Sequence, residues 1–239
     1  MLRAHLRAAG ALKTILLDIE GTTTPIEFVH TTLFGYARAR VQGFLERHEA
    51  DPDVQSDIAL LRAEHAAETP PPNSPMASVS AYVHWLIDQD RKSTGLKSLE
   101  GKIWHEGYRT GDLRGEVYPD VPPALARWRE QDKEVAIFSS GSVQAQRDLF
   151  ATAAAGDLTR YIRAYFDTTT GMKSASTSYS SIAAELGHPP ASILFVSDVA
   201  AELDAARAAG MDTALCVRDA RAPQSPGGEH RVVHTLANV

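Results

Sequence analysis

The sequence predicts an α/β protein with a parallel sheet, interrupted by a long all-helical segment. A short apolar strand pattern near the start, and alternating strand and helix patterns through the second half, are typical of such a sheet. Between them, from Phe28 to about Gly115, apolar residues recur at helical spacing and no convincing strand pattern appears. We therefore expect an α/β domain formed by residues 1–24 and 116–239, with a helical insertion formed by residues 25–115.

The first predicted strand ends on acidic residues. The run "LKTILLDI", from Leu12 to Ile19, suits a strand that is buried on both faces, and this strand stops at Asp18. Glu20, Gly21 and three threonines follow. A single acid at a strand end is more often a turn or capping residue, so this motif needs support from other parts of the chain.

The insertion contains amphipathic helical stripes and one proline-rich break. The stripes consist of Val29, Leu33, Ala37, Val41 and Leu45 at four-residue spacing, and of Tyr82, Leu86 and Ile87. The break is the segment "ETPPPNSPMA", residues 68–77, where the prolines prevent a continuous helix. We expect helices on both sides of a loop here.

After residue 115 the pattern changes to strands followed by helices. The runs "KEVAIFSS" and "SILFVSD" each precede a helical pattern, and "DTALCVR" and "VVH" supply further strands. The segment "RDARAPQSPGGEHR" between the last two is predicted to be a loop. Because ligands of open α/β sheets bind outside the carboxyl ends of the strands, polar residues at those ends should converge.

Polar residues at three strand ends form a candidate site. They are Asp18 and Glu20, then Ser139, Ser140 and Ser142 in "FSSGS", then Ser197 and Asp198 in "FVSD". Carboxylates suit Mg²⁺, and a serine-rich turn that opens a helix can bind phosphate through N–H groups and hydroxyls. Lys173, in the loop "TTGMKSAS", could balance the charge. Each feature alone has an ordinary explanation as a cap or a solvated side chain, but their combination in this order favours a functional site.

Composition excludes several classes of partner. The net charge is -6, the sequence pI is about 5.8 and no run of Lys or Arg stands out, so nucleic-acid binding lacks its electrostatic footprint and a small metabolite is favoured. The single cysteine, Cys216, lies in an apolar run and excludes an internal disulfide framework. No apolar stretch has the length of a membrane span or a signal peptide, so we expect a cytoplasmic protein. The sequence leaves the oligomeric state open, with a monomer as the default.

Five segments of the sequence resemble one known family. They are "LLDIEGTTTPIEFV", "DRKSTGLKSLEGKIW", "FSSGSVQAQRDLF", "YFDTTTGMKSASTSY" and "FVSDVAAELDAARAAG". The first is similar to the Asp-x-Asp-Gly-Thr motif of the haloacid dehalogenase-like phosphohydrolases. Glu20 replaces the second Asp, which is typical of the enolase-phosphatases of methionine salvage, also called acireductone synthases. The resemblance covers about Lys13 to Arg218, and one departure is Ala175, where these enzymes often have an acid.

The resemblance implies a Rossmann-type core, a helical cap and roles for individual residues. Asp18 would be the nucleophile, and Glu20 would protonate the leaving oxygen and later deprotonate the attacking water. Magnesium would be held by the Asp18 carboxylate, the Glu20 main-chain carbonyl and the Asp198 carboxylate. The phosphate would be bound by Ser139, Ser140 and Lys173. Glu202, four residues after Asp198, would lie beside the site rather than among the metal ligands.

The resemblance also implies a substrate. This is 2,3-diketo-5-methylthiopentyl 1-phosphate, a phosphorylated diketone that is enolised and then hydrolysed to the acireductone and phosphate, with Mg²⁺ as the cofactor. In the insertion, Arg91, Lys92, Lys97 and Trp104 could contact this substrate, or could be solvated charges and a packed aromatic. Two alternatives stay open: a related phosphatase for another small phosphoester, and a phospho-ligand-binding module without catalysis.

Overall fold

The computed structural model describes residues 11–68, 78–89, 91, 93–219 and 230–239. The chain forms two compact units. The sheet unit joins the described residues up to Pro25 with Gly115–Val239, and the helical unit is Ile26–Arg114. These bounds lie one residue from the division at residues 24/25 and 115/116 that the sequence suggests.

The sheet unit contains a parallel sheet, as the sequence predicts. Its strands are β1 (Thr14–Leu17), β2 (Glu134–Phe138), β3 (Ala164–Phe166), β4 (Ile193–Ser197), β5 (Asp212–Cys216) and β6 (Arg231–Val233). Their order is β3-β2-β1-β4-β5-β6, and every neighbouring pair is parallel. All four residues of β1 are buried because it pairs with β2 on one side and β4 on the other. The predicted α/β class is therefore confirmed.

The sequence analysis missed strand β3. This strand has three residues, Ala164–Phe166, which is too short for an alternating pattern to stand out. It pairs with β2 through Ala136 and Ala164 and forms one edge of the sheet. Its existence depends on this pairing more than on its own composition.

The described residues form eight α-helices. Those of the helical unit are α1 (Phe34–Arg47), α2 (Pro52–Ala67), α3 (Val79–Asp88) and α4 (Thr94–Thr110), and a π-helical turn, Phe28–Leu33, leads into α1. Those of the sheet unit are α5 (Val121–Glu130), α6 (Val143–Ala151), α7 (Ser176–Leu186) and α8 (Ala200–Ala208). Short 3₁₀ turns occur at Thr159–Tyr161, Pro190–Ser192 and Leu236–Asn238. Within the described ranges, no helix is both long and apolar enough to cross a membrane.

Aromatic side chains fill the core of the sheet unit. Tyr179 of α7 is fully buried and packs against Phe138 of β2 and Phe195 of β4, with ring centroids 5.5 and 5.1 Å away. Burying a side chain of this size stabilises a fold by roughly 1.5–3 kcal/mol. This packing holds α7, and the loop that precedes it, against the strands that carry the candidate site.

The helical unit buries most of the predicted stripes. Val29, Leu33, Ala37, Val41, Tyr82 and Leu86 are buried, whereas Leu45 and Ile87 are half-buried. The Glu64 carboxylate stabilises the start of α4 by accepting hydrogen bonds from the N–H groups of Thr94 (3.1 Å) and Gly95 (3.2 Å). The strand-free prediction for this segment is confirmed for the described residues, but the predicted proline-rich loop lies almost wholly outside them.

Candidate active site

Asp18 lies at the centre of the carboxyl edge of the sheet. It follows Leu17, the last residue of β1, which pairs with Ile137 of β2 and Val196 of β4. The Asp18 N–H donates to the Val196 carbonyl at 3.0 Å, which continues the ladder by one residue, and its side chain is buried. A polar group at this position is surrounded by strand ends from both sides.

A closed turn follows Asp18, and we call residues 19–24 the acid turn because it carries Glu20. The Ile19 carbonyl accepts from the N–H groups of Thr22 (3.2 Å), Thr23 (2.9 Å) and Thr24 (2.9 Å). The Thr23 hydroxyl donates to the Asp18 carbonyl at 3.1 Å. These bonds fix the backbone on both sides of Glu20, whose side chain is half-buried.

Gly21 allows Asp198 to approach the acid turn. Gly21 has a φ of +66°, which favours glycine, and an added Cβ would lie 2.2 Å from Oδ2 of Asp198. The Asp198 carboxylate therefore packs against the main chain next to Glu20. This contact brings two of the predicted strand ends together, those of β1 and β4.

Lys173 lies between two carboxylates of the site. Its Nζ is 2.5 Å from Oδ1 of Asp18 and 2.7 Å from Oε2 of Glu202, and its side chain is 9% exposed. Burial lowers the pKa of Lys173, but the charges and hydrogen bonds of Asp18 and Glu202 outweigh it and raise the pKa above its usual range. Lys173 is therefore a fixed positive charge. The Tyr179 hydroxyl donates to its carbonyl at 2.7 Å and anchors the loop to the core.

The carboxylates of the site are short of positive charge. Burial and, to a smaller extent, the nearby charge of Asp18 together raise the pKa of Asp198 to about 7. Burial also raises the pKa of Glu202, although Lys173 opposes this shift. A cation that bound next to Asp18 and Asp198 would relieve this repulsion.

The predicted magnesium ligands fit this arrangement. Among the residues that the structure describes, no group of three or more His, Cys, Asp or Glu side chains could hold a metal ion. The predicted set does not need such a group, because it uses two carboxylates, Asp18 and Asp198, and the main-chain carbonyl of Glu20. Mg²⁺ is often bound by one or two protein carboxylates and completes its shell with water and substrate phosphate. The negative, oxygen-rich donor set matches that preference.

The serine turn after β2 is closed by local hydrogen bonds. Ser139 is buried and its Oγ accepts from the Gly141 N–H at 3.2 Å, whereas Ser140 is exposed. Ser142 has a capping role, since its Oγ accepts from the Ala145 N–H at 3.2 Å at the start of α6. Among the described contacts, none joins Ser139 or Ser140 to Lys173.

One residue of this region was missed by the sequence analysis. Asp167 follows β3 directly; its Oδ2 accepts from the Val143 N–H at 3.3 Å and its Oδ1 from the Thr169 N–H at 2.9 Å. It links the serine turn to the loop that leads to Lys173. The signal was present in "YFD", which ends a strand on an acid as "LLD" does, but the short strand itself was not recognised.

Two of the four candidate residues in the insertion have described side-chain partners inside the helical unit. Trp104 is buried and its Nε1 donates to the Leu33 carbonyl at 2.8 Å. Arg91 pairs with Glu68 at 2.6 Å. Lys97 is half-buried, and Lys92 lies outside the described residues. The packed-aromatic interpretation thus accounts for the position of Trp104.

Known proteins share both the sequence and the fold. Residues 12–210 match the family described as haloacid dehalogenase-like hydrolase. The chain belongs to this family. It is 52% identical over 217 residues to Enolase-phosphatase E1 of Synechococcus elongatus, covering 89% of this chain and 91% of that protein. Enolase-phosphatase E1 of Methylococcus capsulatus is 49% identical over 219 residues, covering 91% of this chain and 95% of that protein.

A solved structure supports the same assignment. The UTR4 protein of Saccharomyces cerevisiae is 34% identical with a TM-score of 0.75, covering 94% of this chain and 98% of that one. The resemblance to the haloacid dehalogenase-like hydrolases, and within them to the enolase-phosphatases, is confirmed by these matches. The predicted enzyme class, a phosphatase, is confirmed with it. Magnesium dependence is typical of this family.

Proposed function

We propose that the chain is a magnesium-dependent enolase-phosphatase of methionine salvage. It would convert 2,3-diketo-5-methylthiopentyl 1-phosphate, through the enol phosphate, to the acireductone and inorganic phosphate. The observation that carries this proposal is the buried pair of Lys173 and Asp18, 2.5 Å apart, with Glu20 two residues further along a fixed turn. This supports Asp18 as the nucleophile, Lys173 in the loop before α7 as a fixed cation, and Glu20 in the acid turn as a longer acid.

The phosphatase half of the reaction assigns different roles to the two acids, Asp18 and Glu20. An oxygen of the Asp18 carboxylate attacks phosphorus, and the bond from phosphorus to the bridging oxygen breaks as the aspartyl-phosphate forms. Glu20 gives its proton to the departing oxygen. It then takes a proton from the water that attacks the aspartyl-phosphate, which frees Asp18 and inorganic phosphate. The two steps together return both acids to their starting states.

Positive charge holds the phosphoryl group during these steps. Lys173 donates charge-assisted hydrogen bonds to phosphate oxygens, and Ser139 and Ser140 bind the same group through hydroxyl and N–H donors. When bound by Asp18, the Glu20 carbonyl and Asp198, Mg²⁺ offsets negative charge on the phosphoryl oxygens. Glu202 holds Lys173 in place, 2.7 Å from its Nζ.

The enolase half requires a base that reaches a carbon next to the phosphate. That carbon is bonded to the bridging oxygen which Glu20 later protonates, so one carboxylate could serve both atoms. We assign the enolisation to Glu20 for this reason: as a carboxylate it takes the carbon proton, while the enolate oxygen takes a proton from solvent. Glu20 is then protonated for the phosphatase steps, and it releases that proton to solvent after the phosphate has left. The helical unit is included in the proposal as the cap domain of the enzyme, and a cytoplasmic location and a monomeric state stay predictions.

The test follows both halves of the reaction at once. The enzyme is incubated under nitrogen with the diketo-phosphate and Mg²⁺, while enol absorbance and free phosphate are recorded together. We expect both products, and we expect Asp18→Asn to abolish phosphate release because an amide is a poor nucleophile. Phosphate without acireductone would identify a phosphatase for another phosphoester. No Mg²⁺-dependent phosphate release from any phosphoester would favour the binding module.

The assignment of Glu20 has its own measurement. Glu20→Asp shortens the side chain by one methylene, about 1.5 Å of reach. It should retain substantial hydrolysis of an aryl phosphate, because an Asp pair is usual in this motif, and lose most enol formation. Solvent-deuterium exchange at the substrate carbon reports the proton transfer directly. Exchange at the parental rate in the Asp variant would contradict the assignment.

A further inference from the structure

Arg218 holds a main-chain carbonyl of the acid turn. This arginine lies just beyond β5, and its side chain is 11% exposed. Its Nε and Nη2 both donate to the Thr22 carbonyl, at 2.9 and 2.5 Å. Among the described contacts, these are the hydrogen bonds that this carbonyl accepts. The guanidinium group therefore binds the turn at the Thr22 carbonyl, two residues after Glu20.

A half-buried ion pair fixes Arg218 in this orientation. Its Nη1 donates to Oδ2 of Asp120 at 2.7 Å, and its guanidinium lies over the Tyr118 ring, 4.2 Å from the centroid. Burial raises the pKa of Asp120, but hydrogen bonds from Arg218, Thr235 and Leu236 outweigh it and leave the pKa below its usual range. Asp120 is therefore ionised, and the pair is charge-assisted at both ends.

The same segment also secures the next carbonyl of the turn. The Tyr118 N–H donates to the Thr23 carbonyl at 2.9 Å. Within the turn, the Ile19 carbonyl accepts hydrogen bonds from the N–H groups of residues 22–24. The carbonyls of Thr22 and Thr23 are instead bonded by residues 218 and 118, which lie outside the turn. Loss of the Arg218 contact would release the Thr22 carbonyl, while the hydrogen bonds to the Ile19 carbonyl stayed intact.

We propose that Arg218 is a positioning residue for Glu20 in the phosphatase reaction, an inference that rests on the proposed function. It acts through the Thr22 carbonyl and is not assigned any contact with substrate. A general acid contributes on the order of 10²–10⁴-fold only while it is within hydrogen-bonding distance of its target. A misplacement of about 1 Å can cost on the order of 10²-fold in rate. By binding the Thr22 carbonyl, Arg218 keeps the displacement of Glu20 from its target below that distance.

The test compares Arg218→Lys with a matched control, Arg127→Lys. A lysine cannot reproduce the two hydrogen bonds by which Nε and Nη2 converge on the Thr22 carbonyl oxygen. Arg127 belongs to the same unit, and its Nη2 donates to the carbonyls of Leu236 (2.8 Å) and Val239 (2.9 Å). It thus anchors the C-terminal turn to which Asp120 also binds, and its described hydrogen bonds do not reach the acid turn.

The expected result separates positioning from stability. Both variants should lower Tm by similar amounts. Only Arg218→Lys should lower kcat for aryl phosphates, by about 10- to 100-fold, with KM within about twofold of the parent, because Lys173 and the serine turn still bind the phosphate. The loss in kcat/KM should be larger for phenyl phosphate than for 4-nitrophenyl phosphate, since the poorer leaving group depends more on the acid.

Other outcomes would overturn the inference. Equal kinetic losses in the two variants, or a loss confined to KM, would make Arg218 a structural residue only. If Arg218→Lys does not fold, Asp120→Asn loosens the ion pair while keeping the arginine, and unchanged kcat in that variant would have the same meaning. A parent enzyme that hydrolyses no phosphoester would instead refute the proposed function.

Discussion

Replacing Glu100 by Gln should stabilise the protein at neutral and alkaline pH. Glu100 lies in α4, in the segment of the helical unit that resembles the enolase-phosphatases, and it is 5% exposed. Its Oε1 has no hydrogen-bond partner among the described residues. Burial raises the pKa of Glu100 from 4.5 to about 8, so the folded protein holds a neutral acid there at pH 7.

The sign and the size of the effect follow from this shift. Between pH 4.5 and about 8 the folded chain keeps a proton that the unfolded chain releases, so the free energy of unfolding falls as the pH rises through this window. One pKa unit corresponds to about 1.4 kcal/mol, which sets an upper bound of roughly 5 kcal/mol. Local relaxation reduces the penalty. We therefore expect Glu100→Gln to be more stable than the parent by about 2–4 kcal/mol near pH 8.5, and similar to it near pH 4.5.

The assay is urea unfolding of the parent and the variant from about pH 4.5 to about pH 9. Glu106 on the same helix provides a control of opposite sign. Burial raises its pKa, but hydrogen bonds and charges of His48 and Arg47 outweigh it and lower the pKa below the usual range. Glu106→Gln should therefore lose stability above the unfolded pKa. A difference between Glu100→Gln and the parent that stayed constant with pH would refute the reasoning.

Two further predictions concern the site. Lys173→Ala removes the cation between Asp18 and Glu202, so KM should rise and kcat fall, with kcat/KM reduced on the order of 10²-fold in steady-state phosphate release; parental kinetics would mean that Lys173 is not in the site. Gly21→Ala places a methyl group 2.2 Å from Oδ2 of Asp198, so the Mg²⁺ concentration for half-maximal activity should rise severalfold. Gly187→Ala is its control, because Gly187 has a φ of +72° and open space around it, and it should cost about 1 kcal/mol of stability without changing the Mg²⁺ dependence.

The central strands could be predicted from the sequence because their burial leaves a composition signal. Strands β1, β2 and β4 lie inside the sheet and are continuous apolar runs, whereas the edge strand β3 has three residues and was missed. The same reasoning located Asp18 and Asp198, since a residue at the end of a recognised strand has a known place in the fold.

The contacts that hold the site in place could not be predicted in the same way. Arg218 binds a main-chain carbonyl, and no residue type at position 22 announces that contact. The burial of Glu100 was also hidden, because a glutamate in an amphipathic helix is normally assigned to the exposed face. Both depend on tertiary packing, which local periodicity does not encode.

A glutamate at position 20 makes the rigidity of its turn more important than an aspartate would. Glutamate has one more rotatable bond, so its carboxyl group can reach further but is less well defined by its own backbone. The structure compensates at the main chain: the Ile19 carbonyl accepts three N–H groups, and Gly21 packs against Asp198. Arg218 adds two hydrogen bonds to the Thr22 carbonyl, which further restrain the main chain of the turn. A long carboxylic side chain on a fixed main chain can reach two neighbouring atoms in turn. Enolisation followed by protonation of the bridging oxygen requires this.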